Sequence, residues 1–244
     1  ADLRMRNEPL VEITQIKGTS DTHPLLSKND EWADFEITPF RVGTKLYSEP
    51  VGSYVRQAYL SGLQVQAGGV LNPYKFGLVG SSDAHTGLSA MEEDNFFGKV
   101  SSGEPKPERL GATFMKNPKT GVQIMDWEVS ASGYAAVWAN ENTRESIWDA
   151  MQRRETYATT GPRMAVRFFG GWDFDAADAA TRSPAVAGYT KGVPMGGDLR
   201  TAPAGKSPTF LVAALKDPIG ANLDRIQVVK GWLDAKGNLE ERVY

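Results

Sequence analysis

Only two histidines occur in the 244 residues, and one of them, His85, stands two positions after Asp83. Both follow the apolar run Phe76-Gly77-Leu78-Val79, which closes in Gly80-Ser81-Ser82. In extended chain, residues i and i+2 point the same way, so Asp83 and His85 aim into one space. A hard carboxylate oxygen beside a borderline imidazole nitrogen suits a divalent ion such as Zn, Mn or Fe. Gly80 and Gly87 flank the pair and permit close backbone approach and a sharp turn. The same triplet also occurs in ordinary loops, where the histidine is a hydrogen-bonded surface residue. From the triplet alone both readings stand.

The surrounding segments must place these groups. Leu10–Ile16 is rich in β-branched residues and reads as a strand. Glu12 lies among its apolar neighbours. If the strand is buried, that acid needs a partner or a metal; if it is an edge, Glu12 faces water. The polar loop 17–24 carries His23 before Pro24, either a further ligand or a solvated histidine. Between 27 and 38, Trp32 and Phe35 fit one face of a short helix or turn. Ser53 then reads as the N-cap of a helix, with Val55, Ala58, Tyr59, Gly62 and Leu63 as its apolar stripe. That helix ends near Gly68-Gly69, and Phe76–Val79 is the next strand. Helix followed by strand makes an α/β unit, in which functional groups gather at strand carboxyl ends. Glu92, Glu93 and Asp94 follow as an acidic helix face or a solvated helix end.

Further on, Val122–Val129 reads as extended. Asn142 and Glu145 have capping-box spacing, and Ile147, Trp148 and Met151 read as a buried stripe running to about Arg154. Residues 156–163 are strand and turn. Arg163, beside hydroxyls and a glycine turn, either contacts an anionic substrate group or pairs with an acid. Composition shifts there. Val166–Phe169, Thr209–Leu215 and Ile226–Val229 are short strands, and residues 234–238 form a hairpin turn. Asp173–Ser207, rich in Ala, Gly and Pro, reads as a long irregular loop. The chain therefore divides into an α/β part, 1–162, and a β-rich accessory region, 163–244. Trp172 and Trp232, if exposed on that tail, favour another reading: a non-catalytic module binding carbohydrate or protein.

Residues 72–77 and 82–87, together with Arg144-Glu145 and residues 153–161, resemble the DUF3604 family, a branch of the PHP metal-dependent hydrolases. The resemblance implies partial elements of a distorted (β/α)7 barrel, with metals at the strand ends. It implies that Asp83 and His85 are the Asp-x-His metal motif and that Glu12, in Val11-Glu12-Ile13, is a metal-bridging glutamate. DUF3604 proteins often carry Glu where Asp21 stands here. The implied chemistry is hydrolysis of phosphoesters or related esters, on a small anionic or ester substrate, with divalent ions lowering the pKa of bound water.

Net charge is −3, from 27 basic and 30 acidic residues without a block of either sign, which points away from a nucleic-acid surface. No apolar run reaches transmembrane length. Cysteine is absent, so thiolate sites are excluded, while periplasm and cytoplasm stay equally open. The family's His-x-His strand has no counterpart among two histidines. The expectation is a C-terminal fragment of a hydrolase, inactive alone, pairing with a missing N-terminal segment or another chain.

Overall fold

The β-branched run predicted as a strand is strand β1 (Leu10–Gln15), preceded by a short helix α1 (Asp2–Asn7). The computed structural model describes residues 1–41, 44, 46–87, 95–100, 104–129 and 133–244. Strand β1 turns back antiparallel into β2 (Gly18–Thr19). On its other side it pairs in parallel with β3 (Gly77–Gly80), with Leu10 opposite Gly77 and Glu12 opposite Val79. Parallel neighbours need a crossover, and helix α2 (Val55–Ala67) lies in it.

Ser53 does not cap α2. Tyr54 holds the N-cap position without a side-chain bond, and Ser53 Oγ donates to the Glu49 carbonyl instead. The first helical amides, of Val55 and Arg56, donate to the carbonyls of Ser20 and Asp21 at 2.9 and 3.1 Å. The chain after β2 thus satisfies donors that a cap would otherwise take. Gly62 lets the following turn close on the helix: a Cβ there would lie 2.2 Å from Asn72 Oδ1.

Strands β4 (Thr113–Lys116) and β5 (Gln123–Met125) form a hairpin. The predicted extended segment to Val129 breaks at Asp126–Glu128 into a 3-10 turn. Strand β6 (Tyr134–Val137) leads to helix α3 (Arg144–Gln152), which returns to β7 (Thr156–Thr159), antiparallel to β6 and packed against β3. The cap of α3 is Thr143, one residue after the predicted Asn142; its side chain accepts the Ser146 amide at 3.3 Å. The predicted stripe holds in part: Ile147 and Met151 are half-buried beside the buried Ala150, but Trp148 is 60% exposed. Helix α3 ends in a Schellman motif, with Glu155 N–H on the Ala150 carbonyl and Arg154 N–H on that of Met151. Arg154 takes the left-handed position, φ +63°, at a cost of about 1 kcal/mol or more that glycine would not incur.

Strand β8 (Ala165–Gly171) opens the C-terminal region. The segment 173–207 is not the irregular loop expected: it holds helices α4 (Ala176–Ala179) and α5 (Pro184–Lys191) and strand β9 (Gly192–Pro194). Strand β8 pairs antiparallel with β9 and with β10 (Thr209–Leu215). Phe169, on β8, is 1% exposed and packs on Gly188 of α5. A final hairpin, β11 (Val229–Leu233) and β12 (Leu239–Val243), packs on α2. Among the described residues the fold is mixed α/β, with three-stranded and two-stranded sheets and no closed barrel. No described helix is long and apolar enough to cross a membrane. Accessible surface is 15160 Å², against about 10,700 Å² for a compact monomer of this mass.

One polar cluster fastens these parts. Arg56 of α2 donates to both carboxylate oxygens of Glu241 on β12, at 2.7 and 3.0 Å, and to Asp30 at 2.6 Å. Asp21 stands further off, at 3.5 Å. Burial pushes the Asp21 carboxyl up, Arg56 opposes this, and the net shift is upward. An acid whose pKa is raised by folding contributes fully below its unfolded value and loses that contribution as pH rises through the raised value. Asp21→Asn should therefore raise the Tm at neutral pH, with the gain vanishing toward about pH 4. Thermal melts across that range measure it, and a lower Tm at neutral pH would show that attraction to Arg56 outweighs burial.

Candidate functional site

The carboxyl end of β3 is held on β1 by two backbone bonds. Ser81 N–H donates to the Thr14 carbonyl at 3.1 Å, and Ile16 N–H donates to that of Ser82 at 3.3 Å. Beyond this anchor the chain turns sharply. Asp83 sits at φ +49°, a left-handed conformation that a non-glycine residue adopts at a cost of about 1 kcal/mol or more. The turn brings Asp83 and His85 face to face, with Asp83 Oδ1 2.9 Å from His85 Nε2. The His85 side chain is 60% exposed.

Lys99 completes the arrangement. His85 and Val100 form a parallel bridge, and His85 N–H donates to the Lys99 carbonyl at 2.6 Å. The buried Lys99 ammonium donates to the Asp83 carboxylate at 2.6 Å and to its backbone carbonyl at 3.0 Å. Burial alone pulls the Asp83 carboxyl up. The hydrogen bonds and charges of Lys99 and His85 outweigh it and hold the group below its ordinary value. Asp83 is thus kept ionised.

The remaining predicted residues take different places. Glu12, exposed on β1, accepts a bond from Ser81 Oγ at 3.3 Å, which joins it to the same strand end. Arg163 is reached through neighbours: Gly133 abuts the Ser81 backbone, and the Arg163 guanidinium stands 5.7 Å from the Tyr134 ring centre. Its amide donates to Asp217 at 2.6 Å, and that carboxyl, accepting this amide and those of Ile219 and Gly220, is held below its ordinary value. His23 lies in the loop before α2, its Nδ1 accepting the Leu25 amide at 3.1 Å and its ring 5.6 Å from that of Tyr54. Glu92, Glu93 and Asp94 lie outside the described residues. Among the described residues no group of three or more His, Asp or Glu is gathered to hold a metal ion.

Over residues 1–244 the sequence matches the family described as "Protein of unknown function (DUF3604)". The chain belongs to DUF3604. No curated protein and no solved structure matches it.

In this DUF3604 chain the donor chemistry of Asp83 and His85 fits a divalent ion. Their number does not make a closed centre, which takes about four donors including water, and the ammonium of Lys99 already occupies one carboxylate oxygen. Lys99 is the residue that sequence reading missed. It lies well along the chain from Asp83, beyond the undescribed residues, and enters the site only through the bridge beside His85. No spacing rule marks it.

Proposed function

We propose that this DUF3604 chain takes part in the hydrolysis of phosphoesters or related esters as a PHP-type metal-dependent enzyme, with Asp83 and His85 as two of the metal ligands. The observation that carries this reading is the Asp83–His85 pair at the carboxyl end of a parallel strand, on strained backbone, with Lys99 keeping the carboxylate ionised. Glu12 is the further carboxylate of the proposed site. Arg163 faces the anionic group of the substrate. Further ligands of such a site would come from groups not gathered there among the described residues. A bound Zn, Mn or Fe ion supplies a water of lowered pKa and polarises the ester. The chain's own residues orient that site: Asp83 fixes the His85 ring through Oδ1, and Lys99 holds Asp83 through Oδ2.

Manganese titration followed by electron paramagnetic resonance, beside hydrolysis of p-nitrophenyl phosphate and p-nitrophenyl acetate, tests the reading. Asp83→Ala and His85→Ala should each weaken manganese binding at least about tenfold. Unchanged affinity in both variants would remove them from any metal site. For the alternative of a binding tail, Trp172 and Trp232 are half-buried, with the Lys230 ammonium 4.8 Å from the Trp232 ring centre, whereas Tyr189, Phe210 and Tyr244 are exposed.

A further inference from the structure

A cavity of about 550 Å³ lies near the amino-terminal end of β3, away from Asp83, between α2, β3 and the C-terminal hairpin. This size falls within the range of small-molecule sites, roughly 300–1,000 Å³. Its apolar wall includes Tyr59 and Leu63 of α2 together with Phe76. The rings of Tyr59 and Phe76 stand 5.1 Å apart, and the Tyr59 hydroxyl is already committed to the Phe76 carbonyl at 2.8 Å. Flat aromatic walls of this kind favour a flat apolar occupant.

The polar side of the cavity is distinctive. Arg154 lines it, half-buried, with one N–H on the Lys75 carbonyl and no carboxylate paired to it among the described residues. Lys75, its neighbour there, pairs with Asp198 at 2.8 Å. Over the whole lining three cations, Arg56, Lys75 and Arg154, stand against three acids, Asp21, Asp198 and Glu241, and Arg154 is the cation left without a carboxylate partner among the described residues. The other acids of the lining, Asp21 and Glu241, face Arg56. Arg154 also occupies the left-handed position closing α3, where glycine would be unstrained. Strain retained at such a position points to use of the side chain.

We infer that this cavity binds a small aromatic carboxylate, with its ring against Tyr59 and Phe76 and its carboxylate on the free N–H edge of Arg154. One guanidinium without a carboxylate partner suits one carboxylate, and a lining whose formal charges balance offers no second cation to a phosphate dianion. Guanidinium matches a carboxylate through paired parallel hydrogen bonds. The inference is independent of any metal at Asp83.

The test is titration of the full chain with 2-naphthoate, followed by calorimetry, with 2-naphthylmethanol as the uncharged analogue. The acid should bind with a Kd at or below about 1 mM, and the alcohol at least about tenfold more weakly. Arg154→Gly should lose the acid while its Tm holds or rises, because glycine relieves the left-handed strain. Leu63→Trp, which fills the cavity from α2, should lose both compounds and provides the decision if Arg154→Gly does not fold. Absence of 2-naphthoate binding, equal affinity for acid and alcohol, or retained binding in either variant would overturn the assignment.

Discussion

Replacing Arg56 by alanine should cost about 3 kcal/mol, or roughly 6–12 °C in Tm for a chain of this length. The Arg56 side chain is 11% exposed, and its partners Asp30 and Glu241 are 7% and 19% exposed. Removing the cation leaves these carboxylates beside one another, with Asp21 adding a third. Their repulsion and lost hydrogen bonds act together on three parts of the fold: the loop after β2, helix α2 and the final hairpin. Limited proteolysis should then cut the connection before β11 earlier than in the wild type. Glu241→Gln removes one carboxylate and keeps Arg56 paired with Asp30, so it should cost less. A loss below about 1 kcal/mol for Arg56→Ala would reclassify the cluster as a solvated surface network.

The second large effect lies in the C-terminal sheet. Phe169→Ala should cost about 3–5 kcal/mol, since it removes a fully buried ring and leaves a cavity. Gly188→Ala should also destabilise, because a Cβ there would meet the Phe169 ring at 2.5 Å. The two changes are not independent. A methyl group on residue 188 enters space that the missing ring vacates, so the double variant should be less destabilised than the sum of the single ones. Chemical unfolding of all four proteins gives the coupling directly. Strict additivity would mean that the helix shifts away from the strand and that the contact is not a fixed packing interface.

The elements that sequence patterning reveals are those whose pattern is local. Strand β1, helix α2 and strand β3 follow from β-branched runs and a 3.6-residue stripe. Asp83 and His85 stand out by residue type and spacing, but a left-handed turn at Asp83, not extended chain, brings them face to face. What escaped depends on distant partners. Ser53 reads as a cap because nothing local says that the Ser20 and Asp21 carbonyls will take the helix amides. Helix α5 was hidden by a composition of Ala, Gly and Pro that suits loops. It is helical because Pro184 stands at its start and Gly188 lets it close on Phe169. Trp148 reads as core by its spacing, yet it faces outward, with Ala150 as the buried residue of α3. In the site, the acid and histidine were legible, whereas Lys99 was not, because a single backbone bridge brings it there. For Glu12 two readings stood, a buried acid needing a partner or an acid facing water; it is exposed and accepts a bond from the Ser81 hydroxyl.

The generous accessible surface has a thermodynamic consequence. An unfolded chain of 26.6 kDa exposes about 38,600 Å². Folding to 15160 Å² therefore hides about 23,400 Å², where a compact monomer would hide about 27,900 Å². Denaturant sensitivity and the heat capacity of unfolding both scale with that hidden area. Each should be lower by about one-sixth than length alone implies, which urea melts and calorimetry check. The curve of stability against temperature should be correspondingly flatter, with less of the margin lost on cooling and a broader urea transition.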